Sequence, residues 1–167
     1  GRLLESVTGL DDAARENFRT VIVDVHERLN GRGYPYSRSG DAINMLSQLL
    51  SIADSYEALT HQRPWRDAFL AHDTLKLMVR KSGEEFSAKI VRLLVNRLSI
   101  YPPGSCVKLS SGELAQVVGV NREFVTRPRV RVVKDCQSQQ PSRFIDLSQS
   151  RSVHIMEAVS CSKLFLA

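Results

Sequence analysis

Two residues in the first third of the 167-residue chain have the side chains that bind metal ions. His26 opens the segment HERLNGRGYP, where a glycine-rich turn would expose its imidazole. Asp54 lies in an apolar helical stretch, and a carboxylate there is costly unless it is paired or bound to a cation. Mixed nitrogen and oxygen donors suit hard and borderline divalent metals. The alternatives are a histidine favoured by the helix dipole and a solvated or ion-paired aspartate.

Two arginines bracket a proline and a tryptophan in the segment RPWR at residues 63–66. Guanidinium groups held beside a rigid proline can grip a phosphate through paired hydrogen bonds. Arg63 and Arg66 therefore predict a phosphate contact. The alternative is that Trp65 lies in the core and that both arginines are ordinary surface residues.

Four helices are predicted to position these residues. Apolar residues recur at helical spacing over residues 11–29, 41–60, 71–81 and 86–98. Asp11 or Asp12 can cap the first helix. That helix is expected to stop near Asn30-Gly31, since both residues tolerate positive φ, and His26 would then lie in its last turn.

The pattern changes at the helix-breaking segment YPPG, residues 101–104. After it, apolar residues alternate, and short valine-rich segments predict strands: CVKL, LAQVVGV, RVRVV and FIDL. The predicted fold class is therefore mainly α, with a helical part over residues 1–100 and a small antiparallel β module over residues 101–167.

Composition is that of a soluble globular protein, with 43% hydrophobic and 25% charged residues. No apolar run approaches the roughly 18 residues of a membrane span, so no membrane segment is expected. Three cysteines without a C-x-x-C pair favour reduced thiols and a cytoplasmic location.

The positive charge is concentrated in the β module, where residues 101–167 carry nine basic and five acidic side chains. Alternation places Arg127, Arg129 and Arg131 on one face of a strand. Such a row can bind nucleic acid or an acidic protein, or it can be a solvated sheet face. Because no aromatic residues are interleaved for base stacking, the solvated face is favoured and nucleic acid is not the expected partner.

Taken together, four segments resemble the HD-GYP family in order and spacing: HERLNGRGYP, LLSIADSYEALTHQRPWRDA, SGEEFSAKIVRLL and YPPGSCVKLSSGELAQVVGVN. The similarity extends to about residue 147. That family is a branch of the HD metal-dependent phosphohydrolases. The resemblance implies the C-terminal half of an HD-type helical bundle. It also implies hydrolysis of the bacterial second messenger cyclic di-GMP with iron, manganese or similar ions.

The resemblance also assigns roles to individual residues. His26 matches the second histidine of the family's H-H pair, and Asp54 matches its late metal-binding aspartate. Arg63 and Arg66 match positions that contact the phosphates of the ligand. The remaining matches form the loop associated with substrate binding and with contacts to GGDEF-type diguanylate cyclases: Gly31, Gly33, Tyr34 and Pro35.

Departures from the family pattern argue against catalysis by this chain. Val25 stands where the pattern has its first histidine, and valine has no donor atom. The dipeptide His72-Asp73 has the letters of the H-D signature but follows the loop, and it is interpreted as a helix-capping pair. Three explanations remain: a fragment of a longer degenerate protein, loss of catalysis with binding kept, or a substitute ligand that keeps one metal site. For the last, Asp24 and Glu27 are the neighbouring candidates.

The sequence thus predicts a degenerate HD-GYP signalling domain, related to cyclic di-GMP phosphodiesterases and weak or inactive as this chain. The alternative is a non-catalytic module that binds cyclic di-GMP or docks a GGDEF-domain protein. A divalent metal, iron or manganese, is expected if a site survives, and no cofactor is expected if it does not.

Overall fold

The computed structural model describes residue 9, residues 11–134 and residues 143–161. The helices are α1 Asp12–Val23, α2 Met45–Thr60, α3 Ala71–Arg80 and α4 Ala88–Leu98. The strands are β1 Cys106–Leu109, β2 Leu114–Gly119, β3 Arg129–Lys134, β4 Phe144–Asp146 and β5 Ile155–Val159. Helices followed by a small antiparallel sheet confirm the predicted fold class.

The chain forms two compact units that do not follow the helix and strand parts. One contains the described residues through Ala58 together with Met78–Val91, and the other contains Leu59–Leu77 and the described residues from Arg92 onward. The proposed division near residue 100 stays a prediction.

Helix α1 begins as predicted and ends earlier. Asp11 caps it, because its Oδ1 accepts the N–H of Ala14 at 2.7 Å. The helix ends at Val23, and a 3-10 turn over Asp24–His26 follows. The expectation that His26 lies in the last turn of the α-helix was therefore wrong. After this turn Glu27 is extended (φ −67°, ψ 153°), and its carboxylate accepts a hydrogen bond from the loop that follows, so the helix does not continue to Asn30.

Helix α2 buries a face that the apolar pattern did not predict. Ser47, Ser51 and Ile52 are buried on it. The Arg28 side chain reaches Ser51, and its guanidinium donates a hydrogen bond to Ser51 Oγ at 2.6 Å. Three of the apolar residues whose spacing predicted this helix are exposed instead: Leu46, Leu49 and Leu50.

The five strands form one antiparallel sheet in the order β4-β3-β2-β1-β5. Its core consists of residues that alternate along the strands, which is the period-two pattern expected of a half-buried sheet. The buried set is Val107, Leu109, Ala115, Val117, Val130, Val132 and Leu147. Strand β5 was not predicted, because only one of its residues, Val159, is buried.

The predicted row of arginines contains two exposed members. Arg129 and Arg131 are exposed, and the intervening Val130 is buried. Arg127 lies before β3, and its guanidinium donates to the backbone oxygens of Leu147 at 3.1 Å and Ser150 at 2.7 Å. Arg127 therefore ties two loops together and does not join the exposed row.

His72 is a buried structural residue and not a helix cap. Helix α3 begins at Ala71, so His72 and Asp73 both lie inside the first turn. His72 is 6% exposed, its imidazole is stacked on Tyr101 with ring centres 4.4 Å apart, and its Nδ1 lies 3.1 Å from the Ile100 carbonyl oxygen. Burial lowers the pKa of His72, and the hydrogen bond to Ile100 opposes this effect only in part.

This lowered pKa predicts a pH-dependent stability. A histidine in an unfolded chain has a pKa of about 6.5. As the pH falls through that value, His72 takes up a proton more readily in the unfolded chain than in the folded one, and protonation therefore favours unfolding. We expect the free energy of unfolding to fall as the pH drops from 7.5 to 5.5, measured by urea unfolding. His72→Phe should flatten this dependence, whereas His154→Gln, at an exposed histidine, should preserve it. Equal pH dependence in the wild type and His72→Phe would contradict the prediction.

A disulfide joins Cys106 in β1 to Cys161, just beyond β5, with a Cα–Cα distance of 5.3 Å. The expectation of reduced thiols was therefore wrong for these two residues, whose spacing of 55 residues hides their proximity. Cys136 lies outside the described residues.

Among the helices of the described part, none has the length and apolar character needed to cross a membrane.

Candidate functional site

Residues 30–40, here called the GYP loop, begin and end close to each other in space. Asn30 and Ser39 form an antiparallel bridge at the base of the loop. The N–H of Gly40 donates to the Leu29 oxygen at 3.0 Å, which closes the base. Gly31 has φ +73°, a conformation that glycine adopts without strain.

Gly33 is required by a close approach of two backbone segments. A Cβ at this position would lie 2.4 Å from both Glu27 Cα and the Arg28 nitrogen. The loop therefore passes directly over the Glu27-Arg28 peptide, at a distance that only a residue without a side chain permits. The N–H of Tyr34 donates to the His26 oxygen at 3.3 Å, next to this crossing.

The Glu27 carboxylate anchors the far side of the loop. Glu27 is 2% exposed. Its Oε1 accepts the backbone N–H of Tyr36 at 2.6 Å, and its Oε2 accepts the backbone N–H of Arg38 at 3.0 Å. Both oxygens are thus occupied by backbone donors, and the hypothesis that Glu27 is a substitute metal ligand has no support from this geometry.

Asp24 is held by the same loop. It is 1% exposed, and its Oδ2 accepts a hydrogen bond from the Arg38 guanidinium at 3.1 Å. Its Oδ1 has no hydrogen-bond partner among the described residues. The Arg38 guanidinium also lies 5.1 Å from the centre of the Tyr36 ring. Asp24 is therefore an ion-pair partner through Oδ2, and its role as a substitute ligand stays a prediction.

The two predicted metal ligands have different surroundings. His26 is half-buried, and its imidazole stacks on Tyr34 with ring centres 4.9 Å apart. Asp54 is exposed on α2, and its side chain makes no hydrogen bond or ion pair within the described residues. In the part of the chain that the structure describes, no three histidine, cysteine, aspartate or glutamate side chains are grouped to hold a metal ion. The ligand roles of His26 and Asp54 stay predictions.

Two tyrosine rings stand out from the GYP loop. Tyr34 is 61% exposed and Tyr36 is 62% exposed, and Pro35 between them follows a cis peptide bond. Since the backbone on both sides is held by His26 and Glu27, these rings are presented on an ordered support. The loop can therefore offer flat apolar surface to a ring or to a partner protein.

The two arginines of the RPWR segment are held by a tight turn in the other compact unit. The N–H of Arg63 donates to the Arg66 oxygen at 2.9 Å, and the N–H of Arg66 donates to the Arg63 oxygen at 3.1 Å. The Arg66 guanidinium lies 5.2 Å from the centre of the Phe69 ring. Trp65 is 78% exposed, so the alternative that placed it in the core was wrong. The phosphate contact stays a prediction.

Sequence reasoning missed the anchoring set of Asp24, Glu27 and Arg38. Each is charged, and nothing in the local periodicity distinguishes a buried charge from a solvated one. The available signal was the pair of glycines after Glu27, since a glycine can mark either a positive φ, as at Gly31, or a close backbone approach, as at Gly33.

Comparisons with known proteins divide the chain in two. Residues 3–90 match the HD domain family model, and residues 106–166 match a KOW domain associated with HD domain. The first match covers the GYP loop and the second covers the sheet.

Characterised relatives match over most of the chain. The cyclic di-GMP phosphodiesterase PA4108 of Pseudomonas aeruginosa is 31% identical over 136 residues, which is 78% of this chain and 33% of the relative. The cyclic di-GMP phosphodiesterase PdeB of Borreliella burgdorferi is 21% identical over 107 residues, covering 64% of this chain and 28% of the relative. The chain thus spans about a third of the length of these relatives. With its GYP loop and a family match over residues 3–90, this chain belongs to the HD domain family.

Proposed function

We propose that this chain is part of a bacterial signalling protein of the HD-GYP type that recognises cyclic di-GMP with weak or no hydrolysis. The observation that supports recognition is the GYP loop, which is held by the hydrogen bonds of Glu27 to Tyr36 and Arg38. Val25 precedes His26 and has no side-chain donor atom for a metal, which argues against hydrolysis. The relatives are named for hydrolysis of this messenger. In this proposal the recognition surface is retained and one ligand is lost.

The described residues do not by themselves fit a catalytic metal pair. The GYP loop engages both oxygens of Glu27 and one oxygen of Asp24, which leaves His26, Asp54 and the Oδ1 of Asp24 as candidate donors. Generation of a hydroxide between two ions requires most of a ligand cluster. If other parts of a longer protein supply further ligands, His26 and Asp54 would be the contribution of this chain to an iron or manganese site.

Phosphate recognition is assigned to Arg63 and Arg66. Cyclic di-GMP has two phosphates, and a guanidinium can donate two parallel hydrogen bonds to one of them. The turn fixes the backbone of both arginines through two mutual hydrogen bonds, which reduces the entropy lost on binding. Tyr34 and Tyr36 belong to the other compact unit, where their exposed rings are a surface on which an aromatic ring could stack.

Docking of a GGDEF-domain protein is the second candidate function. It is favoured by the exposure of Tyr34 and Tyr36, because tyrosines are enriched in protein interfaces. A cytoplasmic location is part of both proposals. The Cys106–Cys161 bridge argues against this location, because disulfides are rare in a reducing cytoplasm.

Calorimetric titration of the chain with cyclic di-GMP tests the proposal. We expect binding, and we expect Arg63→Ala to weaken it by about tenfold or more, since hydrogen bonds to charged groups contribute about 1.5–3 kcal/mol. Arg122→Ala, at an exposed arginine in the same unit, should have little effect. Absence of binding by the wild type would refute the proposal.

A turnover assay with added Mn²⁺ or Fe²⁺ distinguishes recognition from catalysis. Binding without conversion to linear product is the expected result. Sustained hydrolysis that is lost in His26→Ala or Asp54→Ala would overturn the assignment of a non-catalytic module and restore the phosphodiesterase hypothesis.

A further inference from the structure

We propose that Glu27 is a positioning residue, whose carboxylate fixes the GYP loop in the conformation that presents Tyr34 and Tyr36. Its effect on ligand binding rests on the proposed function, whereas its effect on the loop does not. Glu27 contacts the loop backbone and acts on a ligand only through the loop.

Two backbone donors from one segment converge on the two oxygens of Glu27. The N–H groups of Tyr36 and Arg38 lie 2.6 and 3.0 Å from Oε1 and Oε2. Residues separated by one position can reach the same carboxylate only if the chain bends between them. Ser37, the residue between, has φ +54°, a conformation that is uncommon for a residue with a side chain. The carboxylate therefore stabilises a bend that the local sequence does not favour by itself.

The chemistry of the site requires a carboxylate and not only a polar group. Glu27 is 2% exposed, so water does not complete its hydrogen bonds. An ionised carboxylate is an acceptor at both oxygens, whereas an amide of the same shape presents an NH₂ group on one side. That NH₂ would face a backbone N–H, and one buried donor would lose its partner.

A second contact places the end of the bend. Arg38 donates its backbone N–H to Glu27 and its guanidinium to the buried Oδ2 of Asp24 at 3.1 Å. Arg38 is therefore held at both ends by residues on the same side of the loop. Earlier in the loop, Gly33 packs against the backbone of Glu27 and Arg28, where a side chain would not fit. The loop between these fixed points contains the two exposed tyrosines.

The test compares Glu27→Gln with Glu84→Gln, which alters an exposed carboxylate in the same unit. In ¹H–¹⁵N spectra, amide protons bonded to a carboxylate resonate downfield. We expect the amide signals of Tyr36 and Arg38 to move upfield in Glu27→Gln, while amides in β1–β5 remain in place. Cyclic di-GMP affinity should fall about tenfold or more in this variant and stay unchanged in Glu84→Gln.

The outcomes separate this inference from the proposed function. Unmoved Tyr36 and Arg38 amides in a folded Glu27→Gln would overturn the role of Glu27, whether or not the wild type binds cyclic di-GMP. Moved amides with unchanged affinity would overturn the link between the loop and the ligand. If Glu27→Gln does not fold, Glu27→Asp, shorter by one methylene, is measured instead, and unmoved amides there would equally refute the proposal.

Discussion

Gly33→Ala is expected to displace the GYP loop and to abolish measurable cyclic di-GMP binding by this chain. The added Cβ would lie 2.4 Å from the backbone of Glu27 and Arg28, and backbone atoms cannot turn away as a side chain end can. Overpacking of this kind typically costs about 1–3 kcal/mol, and we expect the upper part of that range. Urea unfolding measures the stability, and calorimetric titration measures the binding.

The matched control is Gly83→Ala. A Cβ at Gly83 meets no atom within 4 Å, but its φ is +83°. We therefore expect a backbone cost of about 1 kcal/mol without loss of binding, since a side chain in the left-handed region costs roughly 1–2 kcal/mol. If Gly33→Ala bound the ligand like Gly83→Ala, the loop would not be part of the recognition surface.

Loss of the Cys106–Cys161 bridge is expected to have the largest effect on the sheet. The bridge closes a segment with a sequence separation of 55 residues. For a loop of this length, the chain-entropy model gives about 4 kcal/mol, which is an upper estimate because measured values are often smaller. Cys161→Ser should lower the free energy of unfolding accordingly. Strand β5 should be affected first, since it pairs only with β1 in the described residues.

Reductant provides the internal control for this prediction. Dithiothreitol should lower the unfolding midpoint of the wild type and leave the midpoint of Cys161→Ser unchanged. The amides of β5 should exchange their hydrogens faster in the reduced wild type and in Cys161→Ser than in the oxidised wild type. A wild-type midpoint that does not change with reductant would show that the bridge contributes no stability.

The helices and the first four strands could be predicted because their signals are local. A helix or a strand repeats its apolar residues with the period of its own backbone, so the pattern is visible without knowledge of the neighbours. Asp11 could be identified as a cap for the same reason, because a cap acts within one turn. The resemblance of the GYP loop and of the RPWR segment to the HD-GYP family was likewise readable from short motifs.

The role of each charged residue depended on distant partners. Asp24 and Glu27 lie within two residues of the predicted ligand His26, yet Arg38 binds one oxygen of Asp24 and the loop backbone binds both oxygens of Glu27. Arg127 shares the spacing of its exposed neighbours but binds carbonyl oxygens 20 and 23 residues away. Periodicity reports only whether a side chain is apolar, and it does not identify the group that a charge meets.

The sequence by itself determined the order of the four helices and the first four strands, the family and the loop that carries the family motif. Only the tertiary structure decided that α1 ends at Val23, that Cys106 meets Cys161, and that Glu27 is an anchor. The order of elements follows from local periodicity along the chain, and the family follows from the resemblance of short motifs. The second set follows from buried groups that must find a partner, and the fold alone determines which partner lies within reach.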